Sequence, residues 1–450
     1  LGYALGICLL LKLVIRASQP GAWPEPPPRR SGFETALALL TVAVLFYVLL
    51  SAVNARMSLS PGTYTLRYHD SLAGLPRSYD RPATWQAFAL YVGLAAFFWS
   101  VRDWILHPPP GRRRISPAED YPLPPRRMRL LLWVLCVNGA LVAVQGIVQR
   151  LMGSTDLLWL VTPAVNKAPV SFFGPFAYRA NAAQYFNLIW PVALGLWWTT
   201  FRAARQHRPH HRPSSEAQHV ATPVRGRRHH GHLLLSCVLL MAVCPIVSTS
   251  RGGAIIMAGL VLLALAILGS ALWSSNWTSK LALLSLLGGM VSLGVLLGWE
   301  ELGPRMEMLE QGYDQREAMF NTGRRMAADA PLYGTGAGTF TYLFQFYRRS
   351  TGEYWPGQMH NDWLETRITF GWVGLGLLLA ALAVAVGRWF GRGGWPGEKH
   401  FVLLIWCALG GCLLHARFDF PFQIPSLLTL FLFLCALLSC LSRPRRGELE

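Results

Sequence analysis

Charge is scarce in this chain. Only 14% of its 450 residues are Asp, Glu, Lys or Arg, against roughly a quarter in a soluble globular domain, which excludes an ordinary water-facing surface over most of the length. Acid is scarcer still: 23 Asp and Glu face 41 Lys and Arg, a formal net charge of +18. Loop cysteine is missing. All eight cysteines (Cys8, Cys136, Cys237, Cys244, Cys407, Cys412, Cys435 and Cys440) fall in apolar stretches, so neither a disulfide framework nor zinc-type Cys/His spacing is present. No Lys-Ser or Lys-Thr closes the run Gly334-Thr-Gly336-Ala-Gly338, which excludes a Walker A loop. No basic stretch is interleaved with stacking aromatics outside the apolar segments, so the positive charge does not read as a nucleic-acid surface. No internal repeat supports an inverted-repeat transporter.

Apolar sequence is what the chain has in quantity: 52% hydrophobic residues, with eighteen Trp. A bilayer core is crossed by on the order of 20 mostly apolar residues. Runs near that length lie at 1–15, 34–53, 83–101, 129–149, 183–201, 233–250, 253–272, 281–299, 368–388, 401–417 and 424–441. They predict an all-α polytopic membrane protein of 11–12 transmembrane helices. The cysteines read as small lipid- or helix-facing residues of these spans. The chain opens without Met inside the run Leu1 to Ile15. We read it as truncated, with one further helix ahead of Leu1 bringing the total to twelve.

Arg and Lys set orientation. They collect in alternate connections: Arg29-Arg30, Arg112 to Arg114 with Arg126-Arg127, Arg205 to Arg228, Lys280, Arg392 with Lys399, and the tail Arg443 to Arg446. These connections are assigned to the cytoplasm, and 54–82, 150–182, 300–367 and 418–423 then face outward. Four segments follow: 1–128, N-terminal helices with Pro/Arg-rich cytoplasmic loops; 129–299, central helices; 300–367, an outward loop; and 368–450, C-terminal helices with a basic tail. The loop 203–232 carries seven histidines, from His207 to His232. On its composition it reads as a solvated loop rather than a metal site. No metal or cofactor is expected elsewhere.

The loop 300–367 is too long for a plain connection. Asp314 to Ala330 reads as an amphipathic helix, with Met319, Met326 and Ala330 on one side, stopped by Pro331. A second helix is expected from about His360 into the span at 368. His360 would then share a helical face with Trp363, Leu364 and Arg367.

Chemistry-bearing residues gather on the outward side. Arg251, in Ser250-Arg251-Gly252-Gly253, stands at a membrane boundary; it reads either as a snorkelling helix-end residue or as an anion ligand. Arg316, in Tyr313-Asp-Gln-Arg316-Glu317, is either a surface ion pair or a bidentate phosphate ligand. Arg179, in Gly174-Pro-Phe-Ala-Tyr-Arg179-Ala-Asn181, is a third outward Arg beside a span, with Lys167 nearby. The glycine run around Gly336 and Gly338 reads as a turn before it reads as an anion nest. His360, in Met359-His360-Asn361-Asp362-Trp-Leu-Glu365, is either an interfacial residue bonded to backbone or a general base titrating near neutrality.

Taken in order, these pieces resemble the O-antigen ligase and polymerase superfamily of bacterial envelope proteins. The matching stretches are Gly174 to Asn181, Ser250 to Gly253, Arg316, Asp329 to Phe340, His360 to Leu364 ahead of Gly371, and His415-Ala-Arg-Phe-Asp419-Phe-Pro421, spanning about residues 130 to 441. The resemblance implies a metal-independent, inverting glycosyltransferase of the inner membrane. Such an enzyme acts on the periplasmic face and draws its glycan from an undecaprenyl-diphosphate donor. Arg251 and Arg316, with Arg179, would hold the diphosphate, His360 would serve as base, and Asn361, Asp362, Gly336 and Gly338 would support it. The acceptor is a glycan, lipid or protein hydroxyl. A polymerase using the same donor is the nearer alternative. A transporter or flippase for lipid-linked glycans is the more distant one, disfavoured because span interiors such as 253–272 lack charge.

Overall fold

A bilayer-length apolar run can satisfy its backbone polar groups only within itself, so it must be helical, and every expected run is. The computed structural model describes residues 1–18, 32–60, 65–106, 123–163, 168–206, 225–273, 276–348, 357–392 and 399–441. Among them are thirteen α-helices: α1 (Gly2–Ser18), α2 (Gly32–Val53), α3 (Arg81–Leu106), α4 (Arg126–Leu151), α5 (Arg179–Gln206), α6 (Arg225–Val247), α7 (Arg251–Ala271), α8 (Trp277–Glu307), α9 (Leu309–Asp329), α10 (Phe340–Tyr347), α11 (Asp362–Arg392), α12 (Lys399–His415) and α13 (Pro425–Leu441). The protein is an all-α polytopic membrane protein. Six helices are long and apolar enough to cross a bilayer, namely α2, α3, α4, α7, α8 and α11 up to Arg388, and four shorter apolar helices accompany them. The remaining expected run, 183–201, lies in α5, which is longer and carries Pro191 inside.

The residues between the runs hold more structure than expected. The connection 54–82 contains an antiparallel hairpin, β1 (Met57–Ser60) with β2 (Thr65–Tyr68). The amphipathic helix starts earlier, at Leu309, and ends at Asp329, just before Pro331. α6 begins at Arg225, inside the His-rich segment. Lys167, most of the His-rich loop and the Arg clusters at 29–30, 112–114 and 443–446 lie outside the described residues.

The chain forms two compact units, each drawn from separate stretches of sequence. One unit takes 1–112, 310–393 and 416–450; the other takes 113–309 and 394–415. In the first, α3 packs against α1, α2 and α13, and α2 packs against α11. Its polar part has a core of its own: Met57, Phe320, Met326, Phe340, Phe344, Met359 and Ile368 are all buried together. Gly323 permits this, since a Cβ there would lie 2.2 Å from the Met359 methyl. At other helix ends of this unit, Glu34 pairs with Arg102 and Arg388 in a buried triad. In the second unit, α5 packs against α6, α7 and α12, and α6 against α4 and α8.

α11 is not one continuous helix. Gly371 takes φ 62°, ψ −167°, a backbone state essentially restricted to glycine. The break frees the carbonyls of Ile368 and Thr369, and the amides of Thr335 and Gly336 fill them, each at 2.9 Å. In return the amides of Trp372 and Val373 donate to Pro331 and Leu332, each at 3.0 Å. The glycine run is therefore a turn docked on a helix break. A Cβ on Gly371 would meet the Leu332 carbonyl oxygen at 2.3 Å, and one on Gly334 the Gly371 amide at 2.5 Å. Tyr47 completes the joint, its hydroxyl 2.7 Å from the Tyr333 oxygen and 2.8 Å from that of Phe370.

Candidate functional site

His360 does not lie on the helix. It precedes α11 with φ 54°, a left-handed conformation uncommon for a residue with a side chain, so the face shared with Trp363, Leu364 and Arg367 does not exist. Asn361 is the helix cap: its side-chain oxygen accepts the Leu364 amide at 3.1 Å and its carbonyl the Glu365 amide at 2.9 Å, the usual work of Asn at that position. Both carboxylates of the motif are buried and engaged. Glu365 accepts the Met359 amide at 2.8 Å. Asp362 accepts the Phe422 amide at 2.7 Å and the Gln423 side-chain amide at 3.0 Å. Its own amide donates to Ala416 and Asp419. The cap thus aims the histidine while Asp362 clamps the turn 416–423.

That turn brings a partner. His360 Nδ1 lies 3.2 Å from Asp419 Oδ1, with 13% and 8% of the two side chains exposed. The same oxygen also accepts the Phe420 amide at 3.0 Å, and the Phe420 ring stands edge-on to the imidazole at 4.7 Å. An ionised carboxylate only accepts hydrogen bonds, so the proton of a neutral imidazole sits on Nδ1 and Nε2 carries the lone pair. Arg316 joins the same turn, donating from Nη1 to the Phe418 oxygen at 2.7 Å. Gly336 and Gly338 belong to the docked turn of this unit. A Cβ on Gly336 would meet Ser78 at 2.7 Å, and one on Gly338 the Ala83 oxygen at 3.0 Å.

The other two sequence-picked arginines belong to the second unit. Arg251 is the first residue of α7, behind Ser250, whose side chain accepts the Gly253 amide at 3.1 Å. Its Nη1 donates to the carbonyls of Arg305 at 3.2 Å and Met308 at 2.7 Å, the C-terminal end of α8. The guanidinium rests on the C-terminal end of α8, where a cation suits the negative end of a helix dipole. Arg179 Nη1 donates to the Val170 oxygen at 2.9 Å. Arg150 donates to Pro169 at 2.9 Å and Phe172 at 3.1 Å, so the two hold one short turn, Pro169–Ser171. Arg179 feels the positive charge of Arg305, Arg251 and Arg150, and Arg305 that of Arg251. With Glu301 close to Arg150 and Arg305, the cluster keeps an excess of positive charge, which attracts anions.

Sequence reasoning named His360, Arg251, Arg316 and Arg179 but gave no role to Asp419, Arg305 or Arg150. Asp419 lies 59 residues from its partner, and only its occurrence in the resembling stretch marked it. Arg305 follows Pro304 at the end of an apolar helix, where it reads as a boundary charge. Among the described residues, no group of three or more His, Cys, Asp or Glu has the arrangement of a metal site.

One region of the chain matches a known family. Residues 236–379 match the family model described as O-antigen ligase. The match includes Arg251, Arg305, Arg316, the glycine turn and His360 to Asp362, and leaves Arg179, His415 and Asp419 outside it. Neither the curated proteins nor the solved structures gave a match. Residues 236–379 of this multi-pass membrane protein are thus similar to the O-antigen ligase family.

Proposed function

We propose that the protein is a glycosyltransferase of the inner membrane, working on the periplasmic face as an O-antigen ligase does. It would move a glycan from undecaprenyl diphosphate to an acceptor hydroxyl with inversion. The observation that carries this reading is the His360–Asp419 pair, with Arg316 fixed to the same turn. Asp419 holds the tautomer that leaves Nε2 basic. Nε2 takes the acceptor's proton as the acceptor oxygen attacks the anomeric carbon, and the bond from that carbon to the diphosphate oxygen breaks. The leaving diphosphate carries away the negative charge, so cations, not an acid, are what it requires. Arg251 and Arg316 are assigned to it, with Arg179 beside Arg251. Each has Nη1 bonded to a backbone carbonyl, which fixes the guanidinium before substrate arrives. Asn361, Asp362, Gly336 and Gly338 support the histidine and its loop.

The charged triad Glu34–Arg102–Arg388 favours this reading over a transporter. Glu34 opens α2, Arg102 is in the last turns of α3, and Arg388 is near the end of the apolar part of α11, whereas transport sites lie near the midplane in broken helices. Incubation of the purified protein with an undecaprenyl-diphosphate oligosaccharide and candidate acceptors tests the assignment. Glycan released from the lipid onto another acceptor is the ligase outcome, longer glycan on the same lipid is the polymerase outcome, and no turnover of the donor refutes both. Asp419→Asn presents an amide to Nδ1 and is expected to lower turnover by about 10²–10⁴-fold, the range from a typical general base to a lost tautomer. Turnover is expected to survive EDTA, and a loss restored by Mg²⁺ overturns the metal-free mechanism.

A further inference from the structure

The Arg251 turn is held from behind by a buried polar group that the proposed chemistry does not use. His415, the last residue of α12, is 1% exposed, as is Gln184 of α5, and Asn187 one turn on is fully buried. Polar side chains inside membrane helices are costly unless they have a task. His415 Nδ1 is hydrogen-bonded to Gln184 Oε1. An amide oxygen only accepts, so Nδ1 carries the proton and Nε2 is the unprotonated face of the ring. That face lies against Gly252: a Cβ there would come within 3.0 Å of Nε2. Gly253 is equally tight, since a Cβ would meet Ala183 at 2.2 Å. Asn187 Nδ2 donates to the Gly253 oxygen at 2.9 Å and Trp190 Nε1 to Asn187 Oδ1 at 3.3 Å. Thr249, at φ 59°, bonds the Val170 oxygen at 3.2 Å. The backbone on both sides of Arg251 is therefore fixed by side chains from α5 and α12.

We propose that His415, oriented by Gln184, is a positioning residue for Arg251: the His415–Gln184 pair sets where the first turn of α7 presents its guanidinium to the diphosphate. This rests on the reading of Arg251 as a diphosphate ligand. The two glycines of Ser250-Arg251-Gly252-Gly253 are in the sequence because His415 and Ala183 occupy the space their side chains would take.

The test uses the full chain in nanodiscs, with undecaprenyl diphosphate as the titrated probe and thermal unfolding followed in parallel. Arg251→Ala and His415→Leu are each expected to weaken binding about tenfold, the size of one lost charge-assisted contact. The double variant is expected to bind no worse than Arg251→Ala alone, because the two act through one contact. His415→Asn keeps an N–H for Gln184 and is expected to retain most of the affinity, which a purely space-filling role does not require. Should Leu at 415 fail to fold, Gln184→Met and Gly252→Ala approach the same contact from its other sides, and their non-additivity with Arg251→Ala decides. Parent-like binding by His415→Leu, or losses that add in the double variant, overturns the positioning role and leaves Arg251 as ligand. Unchanged binding by Arg251→Ala overturns the diphosphate assignment itself, and the positioning role with it.

Discussion

Two turns in this protein are built to one plan and carry their chemistry in different places. Thr249-Ser250-Arg251 and His360-Asn361-Asp362 each begin with a left-handed residue that is not glycine, at φ 59° and 54°. Each continues with a side chain that caps a helix, and each then enters the helix at a charged residue. In the first, the proposed chemical group is the charge at the helix start, Arg251. In the second it is the left-handed residue, His360, and the charge at the helix start clamps the neighbouring turn. A left-handed residue before a cap throws its side chain clear of the helix. A residue just inside the helix is instead held rigidly by the first turn. The plan thus offers one fixed position and one projecting position, and the two turns use opposite ones.

Substitutions at matching positions break or sharpen this comparison. The largest difference is expected at the left-handed residues. His360→Gln should lower transfer by about 10²–10⁴-fold, the usual contribution of a general base, with membrane insertion unchanged. Thr249→Asn, which suits the same backbone, should stay within a few-fold of the parent in the same glycan-transfer assay; equal losses at both would erase the distinction. At the helix starts the effects should divide by type. Arg251→Ala should act on donor affinity. Asp362→Ala should act on stability, because it leaves the Phe422 amide and the Gln423 side chain without their buried acceptor, at about 1–3 kcal/mol; a lowered Tm with parent-like donor binding is the expected pair of readings. The smallest and most equal effects belong to the caps. Ser250→Ala and Asn361→Ala should each cost about 1 kcal/mol, and the glycine versions a few tenths, as measured by thermal unfolding.

The membrane helices were legible because length and hydropathy alone demand them, and their polar ends were not. α5 begins four residues ahead of its apolar run, at Arg179, since Asn181 and Gln184 are buried polar residues that hydropathy counts against a span. The two strands of the hairpin, 57–60 and 65–68, are four residues each, too short to stand out. His360 was legible as a residue but not as a conformation: helical spacing put it on a face, whereas the cap one residue later puts it outside the helix. The Gly334 to Gly338 run announced a turn, yet its counterpart, Gly371, is hidden in an apolar stretch where one glycine carries little signal. The pairing of His360 with Asp419 comes from tertiary structure alone.

The break at Gly371 has a consequence for how the protein meets lipid. A continuous helix would tie the tilt of its upper end to the thickness of the bilayer around its lower end. Here the carbonyls and amides exposed by the break are satisfied by the 331–336 turn, so the segment bearing Asn361 and Asp362 takes its direction from protein contacts rather than from the span below. On the proposed reading, the orientation of His360 would depend on these protein contacts more than on the thickness of the bilayer around the lower part of α11.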